Sequence, residues 1–109
     1  MSGNDTTTRL GQRGEDLAAD YLSRQHLTLI ARNHRCRGGE IDLICREGRT
    51  LVFVEVRQRS SGAFGGAAAS ITTAKRRRLV LAAQHYLATV GTPEVDCRFD
   101  CVLIEGAQI

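Results

Sequence analysis

The chain has 109 residues, 42% of them hydrophobic and 25% charged, which fits one soluble globular domain and excludes a fibrous, disordered or multidomain design. No apolar run reaches membrane-spanning length, and the opening "MSGNDTTTRL" lacks the apolar centre of a secretory signal, so no membrane partner is expected and the cytoplasm is the default compartment. The net charge of +3 permits a nucleic-acid partner without demanding one, and the arginines cluster at residues 32–37, at Arg57 and Arg59, and in the run Lys75, Arg76, Arg77, Arg78.

Residues 1–7 are polar and read as a flexible segment ahead of a single domain over residues 8–109. From Thr8 to Gln25 the apolar positions Leu10, Leu17, Ala18, Tyr21 and Leu22 fit the stripe of a first helix. "HLTLIARN" then alternates, with Leu27, Leu29 and Ala31 on one face of a strand. "RCRGG" connects it to a second strand, "EIDLICR". Gly48 marks a turn, and "TLVFVEVRQR" is a third strand rich in β-branched and aromatic residues.

"SSGAFGGAAAS" follows as a flexible surface loop. In "ITTAKRRRLVLAAQHYLATV", the residues Leu79, Ala82, Ala83, Tyr86, Leu87 and Val90 recur at helical spacing, and Gly91 and Pro93 stop this second helix. "CRFDCVLIE" is a last strand. The order α-β-β-β-α-β predicts an α/β domain with a mixed central sheet flanked by helices.

Four cysteines, Cys36, Cys45, Cys97 and Cys101, include no C-x-x-C pair, so they read as reduced, small apolar groups rather than zinc ligands. His26, His34 and His85 share no spacing, and none is assigned to a site.

The acids are more informative. If Gly48 and Arg49 form the turn between the second and third strands, Asp42 stands opposite Glu55. If the turn is Glu47–Gly48, Glu40 stands opposite Glu55 and Asp42 is one diagonal step away. Opposed side chains have Cβ atoms roughly 5 Å apart, so two carboxylates there repel unless a cation joins them. A divalent ion such as Mg²⁺ or Mn²⁺ is one solution, and Arg57, on the same face, is another.

Glu15 adds a third acid. It sits in the helical row of Gly11, Ala18 and Leu22, beside the apolar stripe, and so points toward the protein body. The competing readings are charges guarding an exposed edge strand, a plain cross-strand ion pair at Asp42, and a helix-dipole role for Glu15.

An acid on a helix, an Asp in one hairpin strand, and Glu-x-Lys in the next make up the nuclease core of the restriction-endonuclease-like superfamily, which Glu15, Asp42 and Glu55-Val56-Arg57 resemble. More closely, "GQRGEDLAADYL", "RNHRCRGGEIDLI", "LVFVEVRQRS", "FGGAAASITTAKRRRL" and "RFDCVLI" resemble the YraN family of small bacterial proteins. The resemblance implies a fold like that of Holliday-junction resolvases. It also implies a Mg²⁺-dependent endonuclease acting on structured DNA, with Glu15, Asp42 and Glu55 holding the metal and a homodimer as a compatible assembly. The alternative is a nucleic-acid-binding module that keeps the fold without the chemistry.

One departure matters. Arg57 stands where the nuclease motif has lysine. Arginine can hold a phosphate bidentately but cannot accept a proton. Lys75, at the start of the second helix, is the expected stand-in. Gln58, Arg59, Arg76, Arg77 and Arg78 complete the expected nucleic-acid contacts, with a solvated helix face as the alternative for the basic run.

Overall fold

A computed structural model of the chain describes residues 4–59, 72–91 and 95–105. Along them run α1 (Asn4–Arg24), β1 (Thr28–Cys36), β2 (Gly39–Glu47), β3 (Thr50–Arg59), α2 (Thr73–Val90) and β4 (Cys97–Glu105). The element order is the one read from the sequence. The strands form one mixed sheet in the order β1-β2-β3-β4, with β4 parallel to β3 after the crossover through α2 and the other pairs antiparallel. This is the arrangement expected of a restriction-endonuclease-like core. The loop expected over residues 60–70 lies outside the described residues, as do residues 1–3. The first helix starts at Asn4 rather than Thr8, in a sequence, Asn-Asp-Thr, of the kind that opens helices.

Each face of the sheet has its own apolar cluster. On the α1 side Ala18 and Leu22 pack with Leu43, Cys45, Val52, Val54, Val102 and Ile104. On the α2 side Leu79, Ala82 and Ala83 pack with Ile41, Ile44, Leu51 and Phe53. Burying side chains such as Phe53 and Val54 contributes on the order of 1.5–3 kcal/mol each.

The buried row of α1 is narrower than expected. Ala18 and Leu22 are buried, whereas Leu17 and Tyr21 are 37% and 38% exposed. The row carrying Gly14, Ala18 and Leu22 is the one that meets the sheet, and its small residues let the helix lie close. A Cβ on Gly14 would stand 2.5 Å from Gln58 Oε1. Val90 likewise lies exposed at the end of α2, beyond the reach of the sheet. In β1 the expected alternation fails because a bulge between Leu29 and Ala31 shifts the register. Leu27 then joins the α1 cluster and Ala31 the α2 cluster, while Leu29 stays exposed.

Two features bring α2 and the β2–β3 hairpin together. The hairpin turns through Gly48 and Arg49, with Glu47 paired to Thr50 and Gly48 at φ 60° supplying the positive φ of a tight turn. Gly39 opens β2 directly beneath α2. A Cβ there would come within 2.5 Å of the Arg78 carbonyl oxygen and 2.9 Å of the Ala82 nitrogen. This close approach seats the first turns of α2 over the ends of β2 and β3.

Candidate functional site

β3 is an interior strand, so its charges do not guard an exposed edge. Leu51 and Phe53 face α2, and Glu55 and Arg57 continue that side, while Val52, Val54 and Val56 face α1. The side chains of Arg57 and Glu55 are only 21% and 14% exposed and form an ion pair at 3.2 Å between Nη1 and Oε1.

Asp42 lies where the neighbouring strands leave regular pairing. The β2–β3 register runs from Glu47–Thr50 to Leu43–Val54, and one step further stand Asp42 and Glu55. At this level β2 stops alternating, since Ile41 and Ile44 both join the α2 cluster while Leu43 joins the α1 cluster. On the other side Asn33, between the Arg32–Leu43 and His34–Ile41 pairs, has φ 52°. The Asp42 side chain therefore sits in the seam between β2 and β3. Its carboxylate accepts a 2.8 Å hydrogen bond from the backbone N–H of Val56. In a continued ladder that N–H would serve residue 41.

The carboxyl groups of Asp42 and Glu55 line one cavity, close enough for each to act on the other's titration. Two carboxylates in contact cannot both ionise freely, so the pair shares a proton. Burial, then the charge of Asp42, pushes Glu55 up to about 7, with Arg57 opposing. Burial also raises Asp42, opposed by the Val56 hydrogen bond and by Arg57. Both carboxyls are therefore raised, and the proton belongs to the pair.

Glu15 reaches the same place from α1. It lines a cavity of about 260 Å³ together with Asp42, Glu55, Arg57, Gln58 and Glu40. Its carboxylate accepts from Asn33 Nδ2 at 3.2 Å. Burial raises its pKa, and Asp42 adds to the rise while Asn33 and Arg32 oppose it.

The basic residues approach from α2. Lys75, Arg78 and Leu79, one turn apart, line a second cavity of about 90 Å³ with Glu55, Arg57 and Glu40. Lys75 is half-buried there, and its backbone N–H is capped by Thr72 Oγ1 at 3.2 Å. Arg76 lies one row over and lines a third cavity that also contains Glu55. Arg77 is exposed, and Arg59 pairs through its backbone with Glu105 of β4. Glu15, Asp42, Arg57, Gln58, Lys75, Arg76 and Arg78 thus each share a cavity with Glu55, whereas Arg77 lines none of the three.

Several neighbours were not assigned to the site from the sequence. Glu40 borders the two polar cavities and pairs with Arg35 at 2.9 Å. Asn33 holds Glu15. His34 and His85, 51 positions apart, face each other at 3.0 Å between Nε2 and Nδ1. The cysteines are free, and Cys45 alone among them is buried, while Cys97 and Cys101 are exposed.

Among the described residues no three His, Cys, Asp or Glu side chains are gathered closely enough to hold a metal ion by themselves. Mg²⁺ does not need three. It keeps most of its waters and binds through one or two carboxylates plus substrate phosphates. The hard oxygens of Asp42 and Glu55 fit that requirement, and Glu15, hydrogen-bonded by Asn33, lines the same cavity. An acidic pair already sharing a proton is also what a cation would relieve.

The model of the uncharacterised protein family UPF0102 matches residues 14–104, the span that carries every element of the site. A UPF0102 protein of Dechloromonas aromatica (strain RCB) is 64% identical over 109 residues, covering 100% of this chain and 89% of that protein. One from Nitrosomonas europaea is 59% identical over 96 residues, covering 88% and 80%. One from Cupriavidus taiwanensis is 60% identical over 100 residues, covering 91% and 76%. No helix among the described residues is long and apolar enough to cross a membrane. The chain belongs to the UPF0102 family, the YraN family that its motifs resemble.

Proposed function

We propose that the chain hydrolyses phosphodiester bonds in structured DNA with a divalent cation, Mg²⁺ or Mn²⁺, at the Asp42–Glu55 pair. The observation that carries this reading is the pair itself: two half-buried carboxyl groups lining one cavity at the β2–β3 seam, with Glu55 also bordering the cavity beneath the basic first turns of α2. Asp42 and Glu55 would hold the ion, and Glu15 would complete the acidic wall. Such an ion supplies Lewis acidity to the phosphoryl group and to water.

The chain's own residues supply the rest. Val56 N–H fixes the orientation of Asp42. Arg57 would receive the scissile phosphate, since its fork geometry suits two phosphate oxygens. Arg57 cannot take a proton, so Lys75, bordering the same cavity as Glu55 and Arg57, is the group in position to accept one. Arg59, Arg76, Arg77 and Arg78 would supply positive charge for flanking phosphates, and Gln58 a neutral hydrogen-bond donor.

A second reading, a nucleic-acid-binding module that keeps the fold without the chemistry, is favoured by the arginine at position 57. The experiment that separates the two incubates four-way-junction and linear duplex DNA with the protein and Mn²⁺, alongside Glu55→Gln. Cleavage that Glu55→Gln abolishes while DNA binding persists supports the enzyme. Binding without cleavage in both proteins supports the module.

A further inference from the structure

The α2 side of the sheet is only partly covered. Among the described residues α2 lies mainly over β1 and β2, and the outer part of that face, on β4, is left open. Parallel pairing sets Phe99 beside Phe53 and Cys101 beside Glu55. Phe53 is buried, whereas Phe99 is 49% exposed. Their rings stand 5.5 Å apart at 33°, so the exposed ring is backed by a fixed one. Phe99 forms one wall of a mostly apolar cavity of about 360 Å³. Leu79 and Val80 of α2, Glu55 of β3, Asp100 and Cys101 of β4, and Arg76 complete its lining.

We infer that this slot takes an unpaired nucleobase, stacked on Phe99, of a strand whose backbone phosphates lie along Arg76 and Arg57. The inference deepens the proposed function and rests on it, naming the substrate as nucleic acid with a displaced or single-stranded base beside the acidic pair. A mostly apolar cavity with an aromatic ring in its lining and a cationic border matches the two halves of a nucleotide, a flat π face and a charged phosphate. A purely apolar ligand would leave Arg76 and Glu55 without a partner from the ligand. A fully paired duplex keeps its bases stacked and gains nothing from Phe99. Continuity through Glu55 places the extruded base next to the carboxylates rather than at a remote surface.

The test uses two oligonucleotide duplexes of one sequence, one fully paired and one carrying a single bulged 2-aminopurine, titrated with the protein at low salt without divalent cations. The parent should bind the bulged duplex more tightly and change the 2-aminopurine emission. Phe99→Leu keeps an apolar side chain and the fold, which an unchanged Tm verifies. It should weaken binding of the bulged duplex by about tenfold or more, the scale of one base–aromatic stack, and leave the paired duplex unaffected. Phe99→Trp should retain the preference. Equal binding of both duplexes by the parent, or an unchanged preference in Phe99→Leu, overturns the slot while leaving DNA binding intact. Concentration-dependent self-association lost in Phe99→Leu, with DNA affinity unchanged, overturns it in favour of a second copy of the chain. Binding of neither duplex overturns the nucleic-acid reading itself.

Discussion

Asp42 accepts a 2.8 Å hydrogen bond from the backbone N–H of Val56, and this one interaction fixes an acid in the seam between two strands. The side chain takes a donor that regular pairing would have used, so Asp42 holds the hairpin together at the point where it opens. Removing the acceptor leaves a half-buried N–H unsatisfied. Asp42→Ala should therefore cost about 1–3 kcal/mol of stability. Asp42→Asn keeps a carbonyl oxygen for Val56 and should cost less. Chemical denaturation of both variants measures the difference, and equal losses would mean that the hydrogen bond contributes nothing.

Glu55 gives the protein a pH signature. Its pKa is pushed from 4.5 up to about 7, so between those values the folded chain holds a proton that the unfolded chain has released. Stability from this group is full below about pH 4.5 and is lost as pH rises through about 7. His34, lowered by burial and by His85, works in the opposite direction below 6.5. The informative quantity is therefore the parent compared with Glu55→Gln. In metal-free buffer the parent should lose more Tm than the variant between about pH 5 and about pH 8. Mg²⁺ should raise the parent's Tm more at the higher pH, because ion and proton compete for the same oxygens. Parallel pH profiles would show that Glu55 is not the titrating group.

Two glycines separate close packing that can yield from close packing that cannot. At Gly39 an added Cβ meets the backbone of α2, at 2.5 Å from the Arg78 carbonyl oxygen. Gly39→Ala must push the helix off the sheet and should cost about 1–3 kcal/mol. At Gly14 the clash is with the end of the Gln58 side chain, which can move. Gly14→Ala also gains helix propensity of about 1 kcal/mol, so its net effect on stability should be small. Thermal denaturation of both variants checks the ranking, and a costlier Gly14→Ala would reverse it.

The basic turns of α2 should act through phosphates. Replacing Arg76, Arg77 and Arg78 with Ala should flatten the logarithmic dependence of DNA affinity on salt, by roughly one unit for each phosphate that loses its arginine. An unchanged slope would make the run a solvated helix face. Lys75 should behave differently. If cleavage is found, Lys75→Met should lose it while DNA binding persists, and combining it with Arg57→Lys should restore part of the loss. Full activity in Lys75→Met would remove Lys75 from the chemistry.

The sequence and the structure agree best where local rules decide. The acidic pair was legible because Gly48 favours a tight two-residue turn, and the period of a strand then carries the register back from Thr50 to Asp42. Glu15 was legible from its row with Ala18 and Leu22. The apolar residues Leu17, Tyr21 and Val90 misled because helical spacing marks a stripe but not how wide a sheet is available to cover it. The β1 bulge and the bend at Asn33 depend on how neighbouring strands pair, so alternation within β1 alone pointed Leu29 and Ala31 the wrong way. His34 meets His85, and Phe99 backs onto Phe53, only through the crossover that sets α2 and β4 on the sheet. No short window contains either pair.

Titration calorimetry of Mn²⁺ into the parent and into Asp42→Asn bears most directly on the acidic pair as a metal site. The amide removes one negative charge while leaving an acceptor for Val56, so loss of binding cannot be ascribed to loss of the hairpin. Mg²⁺ run in parallel distinguishes a hard oxygen site from one selective for Mn²⁺. The parent should show saturable uptake, with proton release near neutral pH as the ion displaces the proton shared by Asp42 and Glu55, and Asp42→Asn should bind at least tenfold more weakly. No uptake by the parent, or equal affinity in the two proteins, would refute the metal site.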